Sequence, residues 1–355
     1  MKKLKPLGIG MILLMLLAGS SSCTRYVTYG NAAAIADGKY DTAFPFGGNS
    51  EQLKGILDAV RLLNATVYYE RYTFEGRDRI RKADITSSLL RSGKYPKTVF
   101  NDFRVGTATL IDFNLNRMAV MTCAHVVDFP DTIITFYAQE GELAEEERLI
   151  YQIAFKKKVE YFIADIRQGD SFDVLAADRK LDVAILGKEF LLPPAMRLPV
   201  FKYPLGSAKE LDWGNLLYII GFPSGKKMIT TGIVSSPDRN RNHDFLLDAL
   251  FNRGFSGGIA LAIRDGVPNF ELVGIVNAVA ADNEIVLVPG EMEHEPDFTT
   301  NLYYEGPIYA GMRKKINYGI SFGISIESIR DFIQENRTVL ENKGFQIKDF
   351  FGGQL

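Results

Sequence analysis

From about residue 104 onward, apolar positions come in short runs of five to nine residues, each closed by glycine, proline or small polar turn residues. The runs fall at 105–111, 118–122, 132–137, 149–155, 159–166, 182–186, 215–220, 228–234, 245–249, 259–263, 271–279 and 318–324. Runs of that length with turn punctuation read as strands, and this many of them predicts an all-β sandwich or barrel pair. Residues 66–73 (TVYYERYT) are equally β-rich. Two stretches carry the helical period instead. One follows Ser50 as N-cap, with Leu53, Ile56, Leu57, Val60 and Leu63 on one face. The other is 325–336 (SIESIRDFIQEN), capped by Ser325 with Glu327 nearby. Residues 24–49 show no period and read as a tether, and the basic, polar 75–97 reads as a long loop. The acidic 139–147 and the segment 280–317, which includes 289–297, look like solvated insertions. No solenoid-length repeat is visible.

The composition suits a globular chain. Of 355 residues, 46% are hydrophobic and 24% charged, and the net charge is −2. Nothing in that balance drives binding to DNA or RNA, so no nucleic-acid partner is expected. There are two cysteines, Cys23 and Cys123, which excludes a disulfide-stapled scaffold. Three histidines and so few thiols leave no zinc-ligand pattern, and no metal site is expected.

The first residues read as an address. MKKLK is followed by an apolar run of twelve at 7–18, too short to span a bilayer, then by GSSS and Cys23. This arrangement resembles a bacterial lipoprotein signal. The resemblance implies a signal peptide at 1–22, lipidation (palmitate) at Cys23 and a tether over 23–49. It also implies a membrane-anchored protein of the cell envelope, on its periplasmic or surface face. Cys123 would then have no intrachain partner.

Candidate chemistry begins at 252–258, NRGFSGG. A serine hydroxyl is a weak nucleophile that needs a base and an anion hole. Flanking glycines permit a turn whose N–H groups converge on one point. Residues 118–127 (MAVMTCAHVV) place His125 at the end of an apolar strand. Residues 181–187 (LDVAILG) open another apolar strand with Asp182, whose burial requires a donor such as an imidazole N–H. Asp178 competes for that role, and Asp182 is preferred because it abuts the buried run.

With their surroundings these residues resemble the trypsin-like (chymotrypsin-fold) serine proteases, and within them the HtrA/Deg branch. TCAHVV resembles the histidine motif, LDVAIL the aspartate strand, and GFPSGKKMITTGIVSS (221–236) the Gly-x-Pro loop with its following strand. LLDALFNRGFSGGIAL (246–261) resembles the serine segment, and LVGIVNAV (272–279) and YGISFGISIESI (318–329) the closing strands and helix. The resemblance covers about 104–335. It implies two six-stranded antiparallel β-barrels with an N-terminal and a C-terminal helix, forming a protease domain over 50–340 with a tail at 341–355. It implies His125, Asp182 and Ser256 as catalytic residues and the N–H groups of Gly254 and Ser256 as the oxyanion hole. Leu250, six residues before the serine, would floor the specificity pocket, with Val276, Asn277 and Ala278 as the facing wall. An apolar floor implies cleavage after aliphatic side chains, because a buried Lys or Arg would need a carboxylate there. Asp248 is the nearest acid and belongs at the strand end. A polypeptide substrate, no cofactor and a homo-oligomer (a trimer) are the remaining implications.

Three features depart from the family. Phe255 stands where relatives carry Asp or Asn, which puts the geometry of the 252–255 loop in question. About 20 residues follow the closing helix, too few for a PDZ module. The 280–317 segment falls between strands that flank the pocket in relatives, as a lid or as a surface excursion. Two further classes stay open on the sequence: a protease-fold lipoprotein that binds peptides or a partner without cutting, and an esterase, since the same triad does not itself choose amides.

Overall fold

The apolar runs become thirteen strands in the computed structural model, which describes residues 36–45, 48–137, 144–166, 171–192, 198–249, 252–289 and 308–351. The expected signal peptide, Cys23, most of the tether and Leu250 lie outside the described residues. The first lobe contains β1 (Val60–Thr73), β2 (Lys97–Asn114), β3 (Arg117–Thr122), β4 (Thr132–Phe136), β5 (Ile150–Ile163), β6 (Asp173–Asp178) and β7 (Val183–Glu189). They pair antiparallel in the order β4-β5-β1-β2-β3-β7-β6. The second lobe contains β8 (Leu216–Gly221), β9 (Met228–Ser236), β10 (Phe245–Leu247), β11 (Gly258–Ile263), β12 (Phe270–Pro289) and β13 (Ile308–Ser325), closed into a barrel in the order β10-β13-β12-β11-β8-β9.

The two-lobed β architecture is the expected one, with a difference in the first lobe. There seven strands form a sheet whose outer strands, β4 and β6, do not pair, where six strands closed on themselves were expected. The runs 149–155 and 159–166 are one strand, β5, carried past its middle by a register shift opposite Tyr68 and Tyr69. Strand β6 has an apolar run of only four residues, Val174 to Ala177, between two aspartates, and escaped the pattern.

Strand burial explains the unbroken apolar runs. Along β8 and β11, alternate residues serve two cores. Leu217, Ile219, Ala260 and Ala262 fill the barrel interior with Phe245 and Val273. Leu216, Ile220, Ile259 and Leu261 face the other way, into a core shared with first-lobe residues and with Ile329 and Phe332. A strand buried on both faces has no polar side to display, so its period-2 signature disappears. In β1 one face alone is fully buried, and the alternation is visible in Leu63, Ala65, Val67 and Tyr69.

The described α-helices are α1 (Ser50–Leu57), α2 (Ser87–Arg91), α3 (Ala124–Val127), α4 (Ile326–Glu335) and α5 (Arg337–Asn342), beside short 3-10 turns. Helix α1 ends earlier than its apolar period suggested. Val60 and Leu63 belong to β1, because pairing with β2 over Val60–Thr109 to Tyr72–Lys97 satisfies that backbone as a ladder. Asn49 stands at its N-cap, with no side-chain capping bond, and Ser50 is already helical. Ser325 does cap α4, accepting from the Ser328 N–H at 3.2 Å. Glu327 instead crosses to another turn, accepting from Ser207 Oγ at 3.0 Å and the Ala208 N–H at 3.1 Å. Residues beyond 340 pack rather than trail: Phe345 and Phe350 are buried, and the Lys343 ammonium donates to the Leu175 carbonyl at 3.0 Å. The ends of the 280–317 segment extend β12 and β13 as a paired ribbon, from Ala281 opposite Ile316 to Pro289 opposite Ile308. Residues 290–307 lie outside the description.

The expected tether also ends early. Tyr40 is buried against the second barrel, bridging to Arg264, whose guanidinium lies 4.1 Å from the ring centroid. Its hydroxyl donates to Glu271 Oε2 at 2.7 Å and accepts from the Ser207 N–H at 2.8 Å. Burial and the Glu271 carboxylate hold the phenol neutral far above its ordinary range. The neighbouring Asp41 carbonyl accepts from the Leu216 N–H at 2.9 Å, so this segment is stitched to the first barrel strand. Tyr40→Phe keeps the ring and its cation contact but strands the Ser207 N–H. We expect a loss of about 1–2 kcal/mol, read as a lower urea midpoint at unchanged m-value. An unchanged midpoint would show that the hydroxyl contributes nothing.

Candidate active site

Three loops from two lobes meet at one point. Strand β3 ends at Thr122, and Cys123 leads into the single turn α3, whose second residue is His125. Strand β7 begins at Val183, so Asp182 sits just before it, in a left-handed conformation with φ 60°. That conformation is uncommon outside glycine, and Asp tolerates it through local hydrogen bonding. Here both carboxylate oxygens are used. Oδ1 accepts the His125 backbone N–H at 2.7 Å, and Oδ2 lies 2.7 Å from His125 Nδ1. The Asp182 carbonyl accepts the Ala124 N–H at 3.2 Å.

A carboxylate can only accept, so this contact places the imidazole hydrogen on Nδ1 and leaves Nε2 as an acceptor. Nε2 lies 2.9 Å from Ser256 Oγ. The serine hydroxyl also lies 2.9 Å from the Asn277 carbonyl. The histidine turn is gripped from below by Arg104, whose guanidinium donates to the His125 carbonyl and, at 2.8 Å, to the Asp128 carbonyl. Asp178 is not at the site. Its Oδ1 accepts from the N–H groups of Lys180 and Leu181 at 2.7 and 2.9 Å, closing the turn that presents Asp182.

The serine turn runs through 252–258. Gly254 has φ 105°, and a Cβ there would lie 2.2 Å from the Phe222 carbonyl oxygen, so only glycine fits. Gly257 has φ 86°, and a Cβ there would lie 2.1 Å from the Thr107 carbonyl oxygen. The Gly257 N–H donates to the Val276 carbonyl at 2.8 Å, tying the turn to β12. No described residue accepts from the N–H of Gly254 or of Ser256. Phe255 is buried in the barrel interior against Gly221, where an added Cβ would lie 2.7 Å from its ring. An apolar anchor therefore fixes the middle of the serine turn.

The expected pocket residues divide. Val276 is fully buried in the barrel interior with Phe255, because alternation along β12 turns it inward; it belongs to the core and not to an open wall. Asn277 is at the site through its carbonyl, and its amide oxygen is buried without a described partner. The backbone of Ala278 pairs with Phe322, and its side chain lies outside the described ones. Asp248 accepts the Ile233 N–H at 2.7 Å, as a strand-end carboxylate does.

Cys123 Sγ, His125 and Asp182 offer ligand atoms within 4.8 Å of one another. The chemistry does not suit a metal. Burial and the Asp182 charge push the thiol well above its ordinary value, and Nδ1 is already committed to the carboxylate. The sequence reading missed Thr107, Arg104 and Ser224, which hold the loops; a threonine inside an apolar strand looks like ordinary β-propensity and carries no chemical signal.

Residues 106–275 match the family model of the trypsin-like peptidase domain. Among solved structures the chain is similar to the HtrA-type protease AlgW with a tripeptide, at 16% identity and TM-score 0.41, covering 84% of this chain and 65% of that one. It is also similar to an AlgW variant with a decapeptide, at 15% identity and TM-score 0.45, covering 84% of this chain and 68% of that one. The chain thus spans about two thirds of the length of each. No curated protein matches in sequence.

Proposed function

We propose that the chain is a serine endopeptidase working through Ser256, His125 and Asp182. The observation that carries this reading is the unbroken line from Asp182 Oδ2 to His125 Nδ1 at 2.7 Å and from Nε2 to Ser256 Oγ at 2.9 Å. As a substrate carbonyl arrives, His125 Nε2 takes the hydroxyl proton and Ser256 Oγ attacks the carbonyl carbon. The tetrahedral oxyanion is received by the N–H groups of Gly254 and Ser256. The imidazolium, stabilised by Asp182, then protonates the leaving amine. Water, deprotonated by the same histidine, hydrolyses the acyl-enzyme. Losing one oxyanion donor in such a site costs about 100- to 1,000-fold in rate.

Two finer statements belong to this proposal. The position of Leu250, six residues before the serine, supports cleavage after medium aliphatic residues such as Val, Leu, Ile or Ala, with each methylene worth about 1–3 kcal/mol. The basic start, short apolar run and Cys23 support export and lipid anchoring in a bacterial envelope.

Four experiments check these readings. A fluorophosphonate probe should label wild-type protein and not Ser256→Ala. His125→Ala and Asp182→Asn should each cut peptide hydrolysis by roughly 10,000-fold or more without unfolding, and double variants should lose little further. A wild type that neither labels nor cleaves would overturn the peptidase, and full activity in Asp182→Asn with loss in Asp178→Asn would move the aspartate. Profiling a peptide library should return aliphatic residues before the cut; dominance of Lys or Arg would sink the pocket reading. Finally, Cys23→Ser should move the protein from membranes to the soluble fraction, whereas an unmodified mature N-terminus at residue 23 or 24 by mass spectrometry would refute lipidation.

A further inference from the structure

We propose that Thr107 is a positioning residue: its hydroxyl holds the Gly254–Phe255 peptide unit, the link between the two units that carry the Gly254 and Ser256 N–H groups, and so keeps both aimed at the oxyanion, a role that rests on the peptidase reading above. Thr107 lies on β2, in the lobe opposite the nucleophile, and is fully buried. Every hydrogen-bonding group it has is engaged around the site. Its N–H donates to the Ser256 carbonyl at 2.8 Å. Its Oγ1 donates to the Gly254 carbonyl at 2.7 Å and accepts the Phe222 N–H at 2.9 Å. Its carbonyl accepts from Thr122 Oγ1 at 2.7 Å.

The peptide unit is planar and trans, so holding a carbonyl also fixes the direction of the N–H that follows it. Four consecutive units of the serine turn are held in this way. The Arg253 carbonyl accepts the Ser224 N–H at 2.8 Å, the Gly254 carbonyl accepts the Thr107 hydroxyl, the Phe255 carbonyl accepts the Gly258 N–H at 2.7 Å, and the Ser256 carbonyl accepts the Thr107 N–H. The first unit directs the Gly254 N–H and the third the Ser256 N–H. Three of the four holds are backbone to backbone and independent of side-chain identity. The hold on Gly254 alone comes from a side chain, and Gly254 is the residue with the conformational freedom to turn its peptide units over.

A hydroxyl is needed because two buried backbone groups of opposite kind, a carbonyl and an N–H, must be satisfied at one point. A hydroxyl donates and accepts at once. Valine has the same shape and does neither. Without the latch, the Gly254 carbonyl and the Phe222 N–H are stranded, and rotation of the Gly254–Phe255 unit to relieve them changes the angle between the flanking units and spreads the Gly254 and Ser256 N–H groups apart.

The test compares Thr107→Val and Thr107→Ser in the full chain, reading fluorophosphonate labelling of Ser256, steady-state hydrolysis and affinity for a peptide boronate. Thr107→Val should label about 10- to 100-fold more slowly and lose the same factor in kcat and in boronate affinity, while KM stays within about twofold. Thr107→Ser, which restores the hydroxyl, should recover most of each loss. A folded Thr107→Val with wild-type kcat, or a Thr107→Ser as slow as the valine variant, overturns the latch. If Thr107→Val does not fold, a crystal structure of the wild-type phosphonyl adduct decides. Thr107 Oγ1 should remain on the Gly254 carbonyl with the phosphonyl oxygen on the Gly254 N–H, and a released hydroxyl overturns the proposal. Absence of labelling in the wild type itself marks failure of the peptidase reading, distinct from wild type and valine variant labelling alike, which is failure of the latch.

Discussion

The site depends on the registration of two lobes. His125 and Asp182 belong to the first-lobe sheet and Ser256 to the closed barrel, so the 2.9 Å approach of Nε2 to Oγ exists only while the lobes hold their relative position. Strand β2 supplies that hold. It pairs with β1 and β3 inside its own lobe and bonds at Thr107 to the carbonyl of Ser256 itself. Around it, the doubly buried strands β8 and β11 present one face to the barrel interior and the other to the shared core. A shift between lobes would therefore have to open apolar packing and strand buried polar groups together, which close-packed interiors resist.

The electrostatics of the site are arranged around one carboxylate. Asp182 is largely buried, a costly place for a charge, and it is compensated by the His125 N–H and by the imidazole. Its left-handed backbone is part of the same arrangement, since it turns the carboxylate back toward α3 at the moment β7 begins. Asp178 performs the complementary task of closing the preceding turn, so two acids four residues apart have separate duties. The nearby thiol of Cys123 is buried beside this charge and held protonated.

Among the described residues, no ion pair holds the serine turn. Phe255 fixes it by filling the barrel interior against Gly221, and backbone and hydroxyl hydrogen bonds fix its peptide units. Apolar anchoring does not titrate and is weakly sensitive to salt, unlike the exposed ion pairs elsewhere on the surface.

The sequence by itself determined the strand-rich character of 104–325 and singled out His125, Asp182 and Ser256, whose side chains the fold brings together. Both were legible because they rest on local facts: apolar runs between turn residues, and reactive residue types beside small ones. What it left to the tertiary structure depends on pairing at a distance. The apolar period of 53–63 looks helical through Leu63, yet β2 claims the chain from Val60 because a ladder satisfies that backbone. Residues 345–350 look like a tail until the first lobe offers them a face to cover. Val276 reads as a pocket wall, and the barrel turns it inward. Thr107 reads as one more β-branched strand residue, and only folding brings its hydroxyl to Gly254, 147 residues further along the chain. Its partners there are backbone atoms, which have no signature in the sequence, so the shape of the serine turn was a decision of the fold alone.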